Sequence, residues 1–449
     1  MAGQTKDAKA RYTFLTVTPV PKLIVSLSIP TMVSMLVTGI YNSADTFFVG
    51  RISTQATAAV GLVFSVMALI QAFGFFCGQG SGTYLSRMLG AGDIQHAREM
   101  CATGFAVSLI IGVVIAAAGN LFAVPIAYAL GSTETTLKDT LAYMRIILMG
   151  APFMTGQFVL NNQLRYQGSA IYSMTGLLVG AALNIVLDPL LILYFKLGVM
   201  GAAIATVSGQ AISFLVLLRG SRKGGNIRPE AGNVRINGYY IRQLINGGIP
   251  SLFRQGLAAV ATLMLNHSAG HYGGDAAIAG MSVVTRALML ISSALIGFGQ
   301  GYQPVASFNY GADKKGRVRE GFFFCLKYGT AFLVLGAGFC IAFAPQIVAF
   351  FRDDPEVVRI GTTALRAQAL ALPLLAATIL TNMLLQSIGQ GKKASVTSAA
   401  RSGIFFIPLI WILPRVFGLW GVEITQAAAD VLSAALAIPI AASELRKMK

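Results

Sequence analysis

The sequence predicts an all-α membrane protein. Twelve transmembrane helices are expected, in two parallel six-helix bundles related by a pseudo-two-fold axis along the membrane normal. Three observations carry that expectation. Of 449 residues, 55% are hydrophobic and only 11% charged, whereas a soluble domain carries about 25% charge. About twelve apolar runs are long enough to cross a bilayer, which takes roughly 20 helical residues. The sequence also repeats itself weakly, its second half echoing its first at a nearly constant interval.

The elements follow in order. Residues 1–22 are polar and basic and precede a full-length apolar run, so they read as a cytoplasmic N-terminal segment rather than a cleaved signal. Apolar runs then begin near residues 23, 56, 100, 137, 169 and 198, which makes residues 23–218 the N-terminal bundle. The basic stretch RGSRKGGNIRPEAGNVRINGYYIR, residues 219–242, is the cytoplasmic linker. Runs near 243, 275, 318, 357, 394 and 420 make residues 243–445 the C-terminal bundle, and residues 446–449 a cytoplasmic tail.

With the N-terminus inside, cytoplasmic segments hold 23 Lys and Arg residues, Arg165 and Arg401 among them, and external segments hold 6. That bias sets the orientation, with both termini cytoplasmic in a multi-pass protein. The net charge of +17 therefore belongs to loops, and no nucleic-acid partner is expected. Cys77, Cys101, Cys325 and Cys340 are scattered through apolar runs and read as packing residues.

The repeat is visible in particular residues. GQGSGTYLSRMLGAGDIQHAR (78–98) lies over GQGYQPVASFNYGADKKGRVR (299–319). Gly78 matches Gly299, Gly90 matches Gly311, Arg98 matches Arg319 and Asn161 matches Asn382, all at one interval. An even number of helices per unit gives the halves the same orientation. Parallel halves around a central cleft are a transporter architecture.

Three stretches carry a family resemblance: IPTMVSMLVTGIYNSADTFFVG (29–50), LNIVLDPLLI (183–192) and GFGQGYQPVASFNYGA (297–312). They resemble the multidrug and toxic compound extrusion (MATE) transporters over nearly the whole chain. The resemblance implies a secondary antiporter of the bacterial cytoplasmic membrane. It would export drugs or organic cations against protons or sodium, with no cofactor, as a monomer. Acids occur in the apolar spans of helices 1 and 5 but not of helices 7 and 8, which is similar to the DinF-like branch.

Charge inside a bilayer is costly, so an intramembrane carboxylate is a functional candidate. Four of the 17 acidic residues fall in apolar spans: Asp45, Asp188, Glu423 and Asp430. Asp45 lies six residues before Arg51 and Asp188 eight before Lys196. Both should sit on the order of 10 Å below the outer helix ends. Asn184 precedes Asp188 by one helical turn, and Thr206, eight residues past Gly198, lies at matching depth. Asp45, Asn184, Asp188 and Thr206 thus offer hard oxygens at one level, and family motif positions match all four. They are the expected ion-coupling set, suited to a proton or to sodium. Tyr41, one turn from Asp45, and Asn161 are the substrate-binding candidates. Asn161, four residues from Arg165, fits the depth of the acids less well.

Other features carry less. His267 and His271 are one turn apart but lack a third ligand, so no metal site is expected. GxGxG at Gly78–Gly82 follows no strand, which argues against a nucleotide loop, and no Walker motif is present. The main alternative function is a lipid-linked glycan flippase, which needs cationic residues in its cavity. Arg254, Arg286 and Arg366 in helices 7, 8 and 10 are the candidates; Asp430 is expected to be structural, pairing with one of them or capping a neighbouring helix. A membrane-embedded enzyme lacks a nucleophile–base pair, and a channel fits paired halves poorly.

Overall fold

The computed structural model describes the backbone of residues 2–448, and the side chains of these except residues 2–8, 40–47 and 54. Among the described residues every regular element is helical. A helix at Ala2–Val17 precedes the bundle. The N-terminal half contains α1 (Val20–Gly50), α2 (Thr54–Gly90) and α3 (Ile94–Leu121). It continues with α4 (Glu134–Met149 and Ala151–Tyr166, broken at Gly150), α5 (Ala170–Pro189) and α6 (Gly198–Gly220). One continuous run, Gly238–Gly311, changes direction at Gly274, where φ is 61°. It comprises α7 (238–273) and α8 (275–311).

The C-terminal half ends with α9 (Lys315–Ala342), α10 (Pro355–Ala371 and Leu374–Ser387), α11 (Gly391–Ala399 through Phe406–Phe417) and α12 (Leu419–Arg446). Nine helices among the described residues are long and apolar enough to cross a membrane, and α10, bent by 54° at its break, makes a tenth. The 74-residue run holds two spans, and α4, interrupted at Gly150, is the twelfth.

Local chemistry explains the ends and breaks. The Ser53 hydroxyl accepts from the Ala56 N–H at the start of α2, and the Asn237 side chain accepts from the Tyr240 N–H at the start of α7. Such caps satisfy donors that the first helical turn leaves open. The turns after α4 and α10 place Gly168 and Gly389 at φ of +80° and +82°, a region glycine enters without steric cost. These two glycines are repeat mates, at the same interval as Gly78 and Gly299.

Contacts obey the same relation. A Cβ on Gly90 would run into the Phe308 carbonyl oxygen, and a Cβ on Gly311 into that of Arg87. Gly311 is the repeat mate of Gly90, and Phe308 is that of Arg87. Each half therefore presents a glycine to the backbone of the other, the reciprocal pattern of a two-fold contact. Gly80 against Gly248 and Gly301 against Ser28 form a second such pair.

These approaches lie at the end of the bundle that carries the linker. There the two halves share one hydrophobic core, with Leu23, Ile24 and Leu85 packed alongside Tyr302, Phe308 and Leu384. Away from that end each half has its own core, one around Ile70, Tyr143 and Ile147 and the other around Met281, Leu365 and Phe406. The N-terminal segment straps the linker end: the Leu15 carbonyl accepts from Asn309 Nδ2 at 3.0 Å, and the Thr18 carbonyl accepts from Arg317.

Several charged residues lie elsewhere, or with other partners, than the sequence suggests. Arg165, read as a cytoplasmic charge, is fully buried. Arg401, read likewise, reaches Asp430, with Nε 2.7 Å from Oδ1. Asp430 is thus ion-paired with Arg401, not with Arg254, Arg286 or Arg366. Arg286 and Arg366 are exposed on the bundle, and only Arg254 faces the interior. The α11 backbone passes through a π-helical turn, Ala400–Ile404, at Arg401, and sequence periodicity gives no sign of that register shift.

Candidate functional site

A cavity of about 440 Å³ lies between the halves. Its walls come from α1, α2, α4, α5 and α6 on one side and from α7 and α8 on the other. Phe64, Phe75, Phe158, Met35 and Met289 supply apolar surface, and five glutamines with Asn161 and Asn184 supply polar surface. Apolar walls with a few convergent polar groups are the usual form of a small-molecule site.

Toward the linker end the cavity stops at Gln300, whose side-chain oxygen accepts from Arg165 Nη1. Arg165 also donates to the Asn162 side chain. Beside it the Tyr166 hydroxyl donates to Gln79 Oε1, and Gln303 Nε2 donates to the same atom at 3.3 Å and to Gln386 Oε1 at 3.2 Å. Gln386 Nε2 in turn donates to the Gly247 carbonyl at 2.6 Å and to Ser251 Oγ at 2.9 Å. This network ties α2 and α4 to α7, α8 and α10, so the floor is a polar latch between halves. The two GQG triplets supply its repeat-related members, Gln79 and Gln300. Sequence reading singles out those glycines and passes over the glutamines.

The ion-coupling candidates divide between described and undescribed positions. Asn184 and Thr206 are both buried and both line the cavity, with Asn184 Nδ2 donating to Thr206 Oγ1 at 3.4 Å. Two glycines bring their helices together: a Cβ on Gly209 of α6 would lie 2.8 Å from the Gly180 carbonyl oxygen of α5. Asn184 Oδ1 has no hydrogen-bond partner among the described residues. Asp188, one turn on, is fully buried and is not part of the cavity wall. It precedes Pro189 and a π-helical turn, Leu190–Tyr194. Proline supplies no N–H to the preceding turn, and π-turns recur at functional sites. Asp45 and Tyr41 lie on the α1 backbone, but their side chains are outside the described residues. Met35, Thr38 and Gly39 of the same helix line the cavity.

Asn161 lines the cavity too, but its amide is engaged: Nδ2 donates to Ser173 Oγ at 2.6 Å and to the Ser173 carbonyl at 3.1 Å. Its repeat mate Asn382 donates to the Ala394 carbonyl at 2.7 Å and to Ser398 Oγ at 2.6 Å. The same brace in both halves ties the fourth helix of each to the fifth. His267 and His271 are exposed, and no cluster of three or more metal-ligating side chains occurs among the described residues.

A sequence model of the MatE family matches this chain twice, over residues 30–190 and 250–412. The chain belongs to the MatE family. The two matches begin at Pro30 and Pro250, which are equivalent positions of the internal repeat. Among curated MatE-type relatives, the multidrug export protein MepA of Staphylococcus haemolyticus is 29% identical over 419 residues, 93% of this chain and 92% of that one. A structure of a multidrug resistance MATE transporter in an outward-facing conformation superposes with a TM-score of 0.90 at 26% identity, covering 97% of this chain and 98% of that one. A MOP superfamily transporter from Pyrococcus furiosus, described as having a binding pocket of reverse polarity, has a TM-score of 0.91 at 25% identity over 97% of this chain and 98% of its own. This MatE protein is thus a multi-pass membrane protein of transporter fold.

Proposed function

We propose that the protein is a secondary active multidrug exporter. It antiports lipophilic, largely cationic compounds against protons or sodium by alternating access. The observation that carries this reading is the cavity itself. It lies between two repeat-related halves, is latched at one end, and abuts a buried oxygen site in one half only. The curated relatives are multidrug export proteins.

Asp45, Asn184, Asp188 and Thr206 form the coupling site. The buried Asn184 Oδ1, without a hydrogen-bond partner among the described residues, with the Thr206 hydroxyl and the Asp188 carboxylate nearby in α5 and α6, is a set of hard oxygen donors suited to a small cation. Carboxylates inside membrane bundles also serve as proton relays in transporters. With the linker in the cytoplasm, as the charge bias indicates, the present state is closed to the cytoplasm. The ion and the drug drive the cycle only insofar as each binds one state better than the other.

Domain limits follow the repeat, with residues 23–218 and 243–445 as the moving bodies and 219–242 as the linker. The flippase reading draws on one cation only, because Arg286 and Arg366 lie outside the cavity and Arg254 alone lines it. Dye efflux from proteoliposomes, with proton and sodium gradients imposed separately, tests the proposal. Efflux driven by one of the gradients is expected. Dye movement indifferent to both would contradict antiport.

A further inference from the structure

We propose that Arg254 selects zwitterionic amphiphiles, by pairing with a carboxylate on the exported compound. The inference rests on the exporter reading and names the substrate class within it.

Arg254 lies on α7, one turn past Pro250, and lines the central cavity. Of the described lining residues it alone is charged. Among the described residues it makes no ion pair and no side-chain hydrogen bond. Gln300 Oε1, an acceptor at the floor of the same cavity, is already taken by Arg165. A guanidinium stays ionised in proteins, so Arg254, half-buried at the cavity wall, keeps its charge there. A cation held within a membrane-spanning bundle needs a counter-charge. No described lining residue supplies one, and a bound compound in the cavity can. The planar fork of donors matches a carboxylate in a bidentate pair.

The facing wall has the opposite character. Asn184 Oδ1, Gln157 Oε1, Gln210 Oε1 and Ser213 Oγ line the N-terminal side and lack hydrogen-bond partners among the described residues. Oxygen acceptors suit an ammonium or a delocalised cation. The repeat mate of Arg254 is Ser34, one turn past Pro30, whose hydroxyl donates to the Pro30 carbonyl at 2.8 Å. The cavity is therefore polarised across its width: acceptors toward α4, α5 and α6, a guanidinium on α7, and apolar surface between. An amphiphile with a cationic ring system and a carboxylate meets all three. A lipid headgroup phosphate offers the same oxyanion chemistry, so the test must separate a soluble carboxylate from a lipid phosphate.

The probes are a cationic xanthene dye as its free carboxylate and the same dye as its methyl ester. Both are loaded into proteoliposomes of the full-length protein under the driving gradient. Arg254→Gln is expected to lower kcat/KM for the free acid about tenfold or more and to leave the ester within about twofold, because a site built around a polar partner discriminates strongly against its absence. Arg254→Lys, which keeps the charge and loses the fork, should fall between. The ester serves as the folding control in each preparation. Equilibrium binding to the wild-type protein, with the free acid tighter than the ester by about tenfold, tests the same claim without a variant. Equal loss for both dyes, or no preference of the wild type for the acid, would overturn the proposal. So would Arg254-dependent translocation of a fluorescent phosphatidic acid without discrimination between the dyes, which would assign the oxyanion to a lipid. Wild-type protein that moves neither dye under either gradient would instead defeat the exporter reading on which this one rests.

Discussion

The two halves share a scaffold and differ in what they place inside it. In the N-terminal half, α5 and α6 hold Asn184, Asp188 and Thr206 in the interior. In the C-terminal half the corresponding stretch of α11, GIFFIPLI (403–410), contains no acid or amide. The repeat mate of Asp45 is Leu265. Leu265, Phe405, Phe406, Leu409 and Ile410 all belong to one hydrophobic cluster. The mate of Thr206 is Gln426, which donates to Asp430 at 2.9 Å and so supports the pair with Arg401. One half thus keeps polar groups unspent near the cavity; the other places hydrocarbon at the positions matching Asp45, Asn184 and Asp188 and pairs Asp430 with Arg401, while Arg254 and the buried Glu423 take part in no ion pair among the described residues. The glycine contacts, the Asn161 and Asn382 braces and the helix breaks are common to both. The repeat preserves the packing contacts, and the proposed ion site has no counterpart at the matching positions of the other half.

The sharpest way to break this comparison is to neutralise each half in turn. Asp45→Asn should leave expression and folding intact and reduce gradient-driven efflux to background. Leu265→Asn at the matching position should lower stability yet leave coupling in whatever protein folds. Wild-type efflux by Asp45→Asn, measured with the same dye in the same vesicles, would end the assignment of Asp45. Next in size are the donors around it. Thr206→Val or Asn184→Leu should weaken apparent ion affinity about tenfold, read from the ion dependence of initial rates, with maximal rate less affected. An unchanged ion dependence in both would remove α6 from the site.

Gly90 and Gly311 test the shared part of the comparison. Each Cβ would enter a carbonyl of the opposite half, so Gly90→Ala and Gly311→Ala should cost similar amounts, about 1–3 kcal/mol each. Both should also open the linker end, detected by labelling of cysteines introduced there. Markedly unequal effects would argue against two-fold-related contacts. The smallest difference is at the third helices. Asp93 caps α3, and the His96 backbone N–H holds its carboxyl below the usual carboxylate range. The cap's contribution is therefore present above that range and is lost as pH falls through the depressed value. Its mate, Lys314, gives α9 no side-chain cap. Acidification below about pH 4 should speed amide exchange in the first turn of α3 more than in that of α9.

Much of this is legible in one sequence because it depends on local pattern. Apolar runs and the internal repeat mark the helices, and a carboxylate in an apolar run marks itself. Asn184 and Thr206 can be placed by counting turns from their helix ends. Arg165 cannot. Near a helix end it reads as a charge in water, and its burial depends on Gln300, far along the chain in the other half. Asp430 is recognisable as structural, but its partner Arg401 is presented through a π-helical turn that periodicity does not reveal. The break of α4, by contrast, carries its own signal, Gly150 followed by Pro152, as that of α10 carries Pro373. Arg254 is visible as a charge in an apolar run, but only the assembled halves show that it faces the cavity while Arg286 and Arg366 do not.

The central claim is that coupling resides in the N-terminal half alone, and the paired variants Asp188→Asn and Asp430→Asn test it most directly. Both are reconstituted in matched vesicles, and dye efflux is measured with and without the driving gradient. Asp188→Asn should fold and show no gradient-driven efflux. Asp430→Asn should melt at lower temperature, because it leaves Arg401 without its counter-charge at a cost of about 1–3 kcal/mol, while its surviving protein remains coupled. Coupled Asp188→Asn beside stable, uncoupled Asp430→Asn would place the ion site in the C-terminal half and contradict the account.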